Sequence, residues 1–244
     1  MNSKPNLFRF FRPAGVIAVL CLSFICLPLY AQENPAHYLP PGEPDASALL
    51  PPPPLAGSPE QAADMQEVRT VSRATPSNEV AVAFSEREFT IFNFTPAIGG
   101  FFQPGKFPKT ETFMHNVQTD AETLTDNAKN IWKRPRPFMI DPTLATGKLE
   151  KTFSYPSGHS TESMVLALVL ADLFPEKRDA IIAEARMIGW HRVEIARHYP
   201  TDIYAGRVLA QAIVEQMKKS PDYQRDFAAA QAEIAAAQVA AKSN

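Results

Sequence analysis

Cysteine is scarce in this chain: of its 244 residues only Cys21 and Cys26 carry a thiol, and both lie close to the N-terminus. They fall within a segment that we expect to be removed, which would leave the rest of the chain without thiols. Such a chain can form no disulfide, no cysteine nucleophile and no thiolate metal site. An exported protein of this kind must therefore be stabilised by its hydrophobic core.

Positive charge is not in excess either. The formal net charge is −2, and loss of Lys4, Arg9 and Arg12 with the N-terminal segment would make it −5. A mildly acidic chain is a poor general binder of nucleic acid, so any bound anion needs a local cluster of cations. Beyond the N-terminus the longest apolar run, Met164 to Phe174, is short and contains Asp172. We therefore expect no nucleic-acid partner and no integral membrane domain.

Residues 1–31 have the pattern of a secretory signal peptide. The three basic residues named above precede an apolar run over 14–27 that is too short for a comfortable membrane span, and Ala31 offers a small residue for cleavage. We expect cleavage near Ala31 and a periplasmic or secreted bacterial protein. Leu29 is an unusual residue at the third position before the cut, so an uncleaved anchor stays the alternative.

The rest of the chain divides by composition into three parts. Residues 32–60 hold nine prolines, and such a stretch is expected to run extended over the surface, as a spacer or a recognition arm. Residues 61–225 form the predicted domain, which is long enough to bury a core of its own. Residues 226–244 are alanine-rich and predict a C-terminal helix or tail with a thin apolar face, which packs at an edge or frays.

Helical spacing of apolar residues dominates from about Gln61 onward, and strand-like alternation is nearly absent. We predict an all-α fold, a single helical bundle, with the stretch 96–108 as its one substantial loop. The segment 160–174 is apolar on most sides, which places it at the centre of the bundle. Further helices are predicted at 120–133, at 178–196 and from Thr201 or Asp202 to Met217, with prolines at the breaks.

The tetrapeptide Pro156-Ser157-Gly158-His159 stands at the start of the predicted central helix. A helix N-terminus presents unpaired amides and partial positive charge, and a glycine lets an oxyanion approach the backbone. The segment therefore indicates an anion site. Ordinary helix capping by Ser157 explains the same residues, and the motif alone does not decide between the two.

Lys129 and Arg136 are seven residues apart, which would place them on one helix face over two turns, although Pro135 interrupts the helix near Arg136. A guanidinium grips phosphate oxygens with two hydrogen bonds, and a lysine adds a point charge. The alternative is a solvated basic face, since Lys133 and Arg134 add charge beside them.

A third segment holds Arg192, His198 and Asp202. A neutral imidazole attacks phosphorus when one nitrogen faces the substrate and the other donates its hydrogen to a carboxylate. Asp202, four residues beyond His198, is placed to accept that hydrogen. An exposed histidine near a capping aspartate is the other interpretation.

Together the three segments resemble the signature of the phosphatidic acid phosphatase type 2 (PAP2) and vanadium haloperoxidase superfamily, K-x6-R-P, P-S-G-H and S-R-x5-H-x3-D. The likeness extends over roughly residues 80–220. Within the superfamily the chain is most similar to the secreted bacterial class A nonspecific acid phosphatases. His191 departs from the pattern, which has serine there. The matching residues are Lys129, Arg136, Pro137, Pro156, Ser157, Gly158, His159, Arg192, His198 and Asp202.

The resemblance implies a phosphatase of broad specificity for small phosphate monoesters, without metal or cofactor, that forms a homodimer or larger oligomer. His198 would attack phosphorus and become phosphohistidine, Asp202 would orient it, and His159 would protonate the leaving alcohol and later activate water. His191 either replaces the serine as a donor to the phosphate or to a neighbouring group, or fills space beside Trp190. We prefer the second of these interpretations. The phosphate oxygens would be held by Lys129, Arg136, Ser157, Gly158 and Arg192.

Other functions compete with this one. A vanadate-dependent haloperoxidase uses the same residues, but the short chain and the class A likeness count against it. A catalytically silent anion-binding protein would keep the fold, yet every expected catalytic residue is present. A zinc site of His191, His198 and Asp202 lacks the spacing of helical ligand pairs, and Ser157 lacks the glycines of a nucleophile elbow.

Overall fold

The computed structural model describes Met1 and residues 36–242, so the predicted signal peptide and its cleavage site lie outside the described residues. Within the described part the regular structure is helical and contains no strand, which confirms the all-α prediction. Short 3-10 helices lie at Ile91–Phe94, Pro142–Leu144 and Pro175–Lys177. The α-helices are α1 (Ala46–Leu49), α2 (Pro59–Ala74), α3 (Ser77–Ser85), α4 (Thr95–Ile98), α5 (Pro108–Trp132), α6 (Pro137–Ile140), α7 (Gly158–Leu173), α8 (Arg178–Glu194), α9 (Pro200–Met217) and α10 (Pro221–Lys242).

Helix α7 forms the centre of the bundle, where α5, α8 and α9 pack around it. Most of its side chains are buried, and Val165, Leu166 and Leu170 are fully buried. A helix that is apolar on all sides has to lie in a core rather than on a surface. His159 and Glu162 near its N-terminus are only partly buried, as is Asp172 near its C-terminus.

Two glycines let neighbouring helices approach the first turn of α7. A Cβ on Gly206 of α9 would lie 2.9 Å from the backbone oxygen of Ser157 and 3.0 Å from Cβ of Ser160. A Cβ on Gly189 of α8 would lie 3.1 Å from Oγ of Ser160. The absence of side chains at these two positions therefore brings α8 and α9 against the start of α7, and with them the third sequence motif.

The alanine-rich C-terminal segment belongs to α10, which begins at Pro221 and packs along α5. Its thin apolar face includes Ala230 and Ile234, which are buried. The carboxylate of Glu233 accepts hydrogen bonds from the backbone N–H groups of Lys109 at 3.1 Å and Thr110 at 2.8 Å. These are unpaired amides at the start of α5, so Glu233 caps that helix from a distant part of the chain.

The proline-rich segment is attached to the bundle wherever the structure describes it. Tyr38, Leu39 and Leu50 are buried in the main core, and the carboxylate of Asp120 accepts a hydrogen bond from the backbone N–H of Tyr38 at 2.7 Å. The interpretation as an extended spacer is therefore wrong for this part. Prolines prevent regular hydrogen bonding, but the apolar residues between them still gain free energy by entering a core.

Irregular connections differ from the prediction. The expected loop over 96–108 begins inside α4, and a second irregular stretch, 145–157, lies between the short helix Pro142–Leu144 and α7. This second stretch brings Thr152 and Ser154 to the functional site. The prediction of one substantial loop was therefore wrong.

Candidate active site

One cavity of about 190 Å³ lies at the N-terminal end of α7 and gathers most of the predicted site residues. Cations, histidines and carboxylates all contribute to its wall. The predicted residues Ser157, His191 and Asp202 are not part of the lining. The lining residues are Glu122, Asp126, Lys129, Arg136, Glu150, Thr152, Gly158, His159, Glu162, Arg192, Arg197 and His198.

Lys129 and Arg136 reach the cavity from different elements. Lys129 lies in the last turn of α5, whereas Arg136 is the N-cap residue of α6, and between them the backbone of Lys133 is left-handed with φ of 50°. The expected shared helix face is therefore wrong. The solvated basic face is also wrong, because Lys129 is 7%, Arg134 4% and Arg136 3% exposed.

The imidazole of His198 is buried, and both of its nitrogens have partners. Nη1 of Arg136 lies 3.1 Å from Nε2, and since a guanidinium can only donate, Nε2 carries no hydrogen. Nδ1 then carries the hydrogen and lies 3.3 Å from Oδ2 of Asp202. Burial, together with the charges of Arg136, Lys129 and Arg192, holds the pKa of His198 well below its ordinary value. The ring is thus neutral with an available Nε2, as a nucleophile requires.

Asp202 is fully buried and accepts hydrogen bonds at both oxygens. Oδ2 accepts from Oγ of Ser154 at 2.6 Å and from the backbone N–H of Tyr199 at 2.9 Å. Oδ1 accepts from Nη1 of Arg134 at 2.5 Å. Burial raises the pKa of Asp202, and the charge of Arg134 opposes that rise.

Arg134 was missed as a site residue in the sequence. It was assigned to a solvated face, yet Pro135 directly follows it, and a residue before proline is disfavoured in helical conformation. That signal indicates that Arg134 leaves the helix. In the structure it lies beyond the end of α5 and is 4% exposed.

His159 lies in the first turn of α7, and its ring is 5.4 Å from the ring of Phe89. Its Nε2 lies 3.2 Å from the carbonyl oxygens of both Glu86 and Arg87. Because carbonyl oxygens only accept, Nε2 carries a hydrogen, and Nδ1 is left to exchange a proton. Burial and then the charge of Arg192 lower the pKa of His159 well below its ordinary value. A nearby anion would raise that pKa again.

Two arginines reach the cavity from the end of α8 and the turn after it. Arg192 donates to the carbonyl oxygen of Ala83, and burial lowers its pKa to about 10, so it stays cationic at neutral pH. Arg197, which sequence reasoning missed, forms an ion pair with Glu150 at 2.8 Å and donates to the carbonyl oxygen of Thr146. It thereby holds the irregular stretch 145–157 beside the cavity. Its only sequence signal is its place next to His198.

Ser157 lies outside the cavity lining, whereas its neighbour Gly158 is part of it. Ser157 is fully buried and caps α7, since its Oγ accepts from the backbone N–H of Ser160 at 3.4 Å. The capping interpretation is therefore observed, and the hydroxyl hydrogen remains available for donation. Gly158 lines the cavity, where a Cβ would lie 3.2 Å from Nζ of Lys129. The missing side chain lets the lysine lie close to the helix N-terminus.

His191 lies outside the cavity lining and pairs with a carboxylate behind it. Its Nδ1 is 2.7 Å from the carboxylate of Glu86, the C-cap residue of α3. Burial lowers the pKa of His191, but the hydrogen bond and charge of Glu86 outweigh burial and raise it. Glu86 also supplies a carbonyl oxygen to His159. The structure therefore places His191 as an ion-pair partner, and it neither lines the cavity nor merely fills space beside Trp190.

The cavity wall also carries carboxylates. Asp126 forms an ion pair with Lys129 at 2.7 Å. Among the described residues, no cation lies within ion-pair distance of Glu162, in the second turn of α7. Burial and then the charge of Glu122 raise the pKa of Glu162 to about 7. Among the described residues no group of three or more histidines, cysteines or acids is placed to hold a metal ion.

Comparison with known proteins covers the same part of the chain. Residues 117–225 match a family model described as the PAP2 superfamily. The chain is 29% identical over 206 residues to an acid phosphatase of Zymomonas mobilis subsp. mobilis, a match that covers 81% of this chain and 78% of that protein. It is 32% identical over 203 residues to a non-specific acid phosphatase of Providencia stuartii, a match that covers 78% of this chain and 81% of that protein.

The fold is similar to that of a transmembrane PAP2 type phosphatidylglycerolphosphate phosphatase from Bacillus subtilis. The TM-score is 0.51 at 21% sequence identity, over 71% of this chain and 89% of that one. At this identity the likeness concerns the fold alone. Across residues 36–242 of the present chain, no helix has the length and apolar character needed to cross a membrane.

Proposed function

This chain belongs to the PAP2 superfamily and is an acid phosphatase, and we propose that it hydrolyses phosphate monoesters of broad structure through a phosphohistidine intermediate, without a metal ion. The observation that carries the proposal is a single cavity lined by His198, His159 and the cations Lys129, Arg136 and Arg192.

The first step forms a bond between Nε2 of His198 and phosphorus and breaks the bond to the ester oxygen. Nε2 is the unprotonated nitrogen, and Asp202 accepts the Nδ1 hydrogen at 3.3 Å, which stabilises the positive charge that develops on the ring. The leaving oxygen takes a proton from Nδ1 of His159. The bound dianion supplies the negative charge that raises the pKa of His159 enough for it to hold that proton.

The second step reverses these roles. Neutral His159 accepts a proton from a water molecule, the water oxygen bonds to phosphorus, and the bond between phosphorus and Nε2 of His198 breaks. The products are the alcohol and inorganic phosphate, and both histidines return to their starting states. As the substrate enters, Arg136 transfers its hydrogen bond from Nε2 of His198 to a phosphate oxygen. Nε2 is then free to attack phosphorus.

Charge stabilisation in this scheme comes from the protein. Lys129, Arg136 and Arg192 line the cavity that would receive the phosphoryl oxygens, and the Gly158 amide adds a neutral donor. Preorganised donors in a site that excludes water stabilise developing negative charge strongly, so the reaction does not require a divalent ion. Proton donation by a histidine favours an acidic optimum.

The cellular location and the oligomeric state of the enzyme are proposed from the sequence pattern. The N-terminal segment supports export to the periplasm or medium, and the named relatives are bacterial acid phosphatases. The resemblance to class A enzymes supports a homodimer or larger assembly. Light scattering of the secreted protein measures the assembly, and N-terminal sequencing measures cleavage near Ala31.

The test is hydrolysis of p-nitrophenyl phosphate between pH 4 and 8 with excess chelator, in wild type and in His198→Ala. We expect turnover that persists in chelator and is lost in the variant. Acid quench with labelled substrate should leave phosphate on His198. Thr112→Ala is the matched control and should keep full activity, because Thr112 is exposed near the start of α5 and its hydroxyl bonds only to the carbonyl oxygen of Pro108 in the same helix.

The outcomes separate the competing functions. Activity that chelator abolishes would contradict the metal-independent mechanism, and turnover in His198→Ala would contradict the assigned nucleophile. A wild type that hydrolyses no ester but oxidises bromide with peroxide after vanadate loading would identify a haloperoxidase instead.

A further inference from the structure

We infer that Asp64 and Arg134 are positioning residues for the nucleophile, and that they act as a charged relay through Asp202 to His198. The inference rests on the proposed phosphohistidine mechanism and deepens it. Asp64 lies in α2, outside the region 117–225 that matches the family model. Neither residue lines the cavity, so neither is a catalytic residue.

The relay is a continuous chain of buried hydrogen bonds. Nη2 of Arg134 donates to Oδ2 of Asp64 at 2.7 Å, and Nη1 donates to Oδ1 of Asp202 at 2.5 Å. Asp202 in turn lies 3.3 Å from Nδ1 of His198. Asp64 is 6% exposed, Arg134 4% and Asp202 0%. The guanidinium thus bridges two carboxylates that water does not reach.

Four hydrogen bonds from its two terminal nitrogens hold the guanidinium of Arg134. Its two terminal nitrogens also donate to Oγ1 of Thr201 at 2.7 Å and to Oε1 of Gln61 at 2.6 Å. Its guanidinium carbon lies 3.9 Å from the centre of the Tyr199 ring. A rigid planar fork held in this way determines where Oδ1 of Asp202 can lie, which a flexible lysine could not do.

Charge is the second part of the argument. A pair made of Arg134 and Asp202 alone would have no net charge. It would do little to stabilise the positive charge that develops on the imidazole. Asp64 adds a second negative charge, so the buried group of two acids and one arginine has a formal charge of −1. The excess negative charge faces His198 through Asp202 and stabilises the positive charge that the ring acquires when Nε2 bonds to phosphorus.

This arrangement predicts that changes in the relay alter kcat without altering the affinity for phosphate. The phosphate is held by cations that the relay does not touch, so a change at Asp64 affects the chemical step but leaves the binding of phosphate nearly unchanged. A merely structural ion pair would instead lower stability and disturb both quantities together.

The experiment compares Asp64→Asn with wild type and with a matched control, Asp141→Asn. Asp141 also forms an ion pair with an arginine of α2, Arg69, at 2.8 Å, but away from the cavity. Three quantities are measured: kcat with p-nitrophenyl phosphate, the inhibition constant of inorganic phosphate, and the Nδ1 proton of His198 by long-range proton–nitrogen NMR.

We expect kcat of Asp64→Asn to fall on the order of 10-fold, the usual effect of losing an outer partner of a histidine. The phosphate inhibition constant should stay within about twofold, since it reports binding alone. The Nδ1 proton should move upfield, because the group of Asp64, Arg134 and Asp202 behind its acceptor loses one negative charge. Asp141→Asn should match wild type in all three.

Arg134→Lys serves as a second variant, because a lysine cannot hold both carboxylates at once. It should show the same loss of kcat with unchanged phosphate inhibition. If either folded variant keeps the kcat of wild type, or loses kcat and phosphate binding in proportion, the relay is wrong. Failure of the proposed function is distinguishable, because then wild type itself has no histidine-dependent turnover.

Discussion

Replacing Gly206 by alanine tests how closely α9 is held against the start of α7. The new Cβ would lie 2.9 Å from the backbone oxygen of Ser157, 3.0 Å from Cβ of Ser160 and 3.0 Å from Oγ1 of Thr161. Real Cβ atoms do not approach a backbone oxygen so closely, so α9 or the turn at Ser157 has to move. Overpacking of this kind costs up to about 3 kcal/mol.

Helix propensity opposes part of that cost, because alanine is about 1 kcal/mol more favourable than glycine inside a helix. The expected net loss is therefore about 2 kcal/mol. For a chain of this size each 1 kcal/mol lowers the melting temperature by about 2–4 °C, so calorimetry should show a fall of about 4–8 °C. Because Ser157 carries the turn that positions Gly158 and His159, kcat/KM should fall about 10-fold.

Gly189→Ala provides the matched control. Its Cβ would lie 3.1 Å from Oγ and 3.3 Å from Cβ of Ser160, contacts that a shift of a few tenths of an ångström relieves, whereas the backbone oxygen near Gly206 lies closer, at 2.9 Å. Propensity then offsets most of the cost, and stability should stay within about 1 kcal/mol of wild type. A Gly206→Ala protein with unchanged melting temperature and kcat/KM would refute the close contact between α9 and α7.

Two further predictions concern titrating groups. Burial raises the pKa of Glu162 to about 7, and Glu162 lines the anion cavity. Its ionisation above that pH should weaken inhibition by sulfate, an anion that does not itself titrate between pH 6 and 8, by about 1 kcal/mol, or fivefold. In Glu162→Gln that step in the sulfate inhibition constant should vanish, and a step of equal size in the variant would contradict the assignment. The pKa of His191 is raised by Glu86, so the pair stabilises the fold fully below the unfolded pKa of about 6.5 and loses that contribution as pH rises through the folded pKa. Urea unfolding should therefore show that His191→Gln is less stable than wild type at pH 5.5 and closer to it at pH 9, and a constant difference would show that the ion pair is not responsible.

The helices could be predicted from the sequence because their signals are local. Apolar spacing and the prolines at 135, 137 and 200 indicate several helix boundaries, and the stretch 160–174, apolar on most sides, indicates a buried centre. The start of α5 at Pro108 lies twelve residues before the predicted start at 120. The three spaced motifs likewise pointed to one anion site, and six of their residues line one cavity.

Other features depend on contacts between distant residues, which no local pattern encodes. Glu86 and His191 are 105 residues apart, and nothing near either residue indicates the other. In the sequence Asp64 looks like an ordinary polar residue of an amphipathic helix. Its role depends on Arg134, which lies outside any helix. The burial of Tyr38 among prolines follows from the acceptor offered by Asp120, which is 82 positions away.

The cap on α5 has a consequence for the order in which the protein assembles. Glu233 follows Thr110 by 123 residues, so a ribosome completes α5 long before it supplies the carboxylate that satisfies the first amides of that helix. Contacts over such a separation form late, because a long stretch of chain has to be ordered before they are made. The first turn of α5 therefore lacks this cap until α10 docks against it.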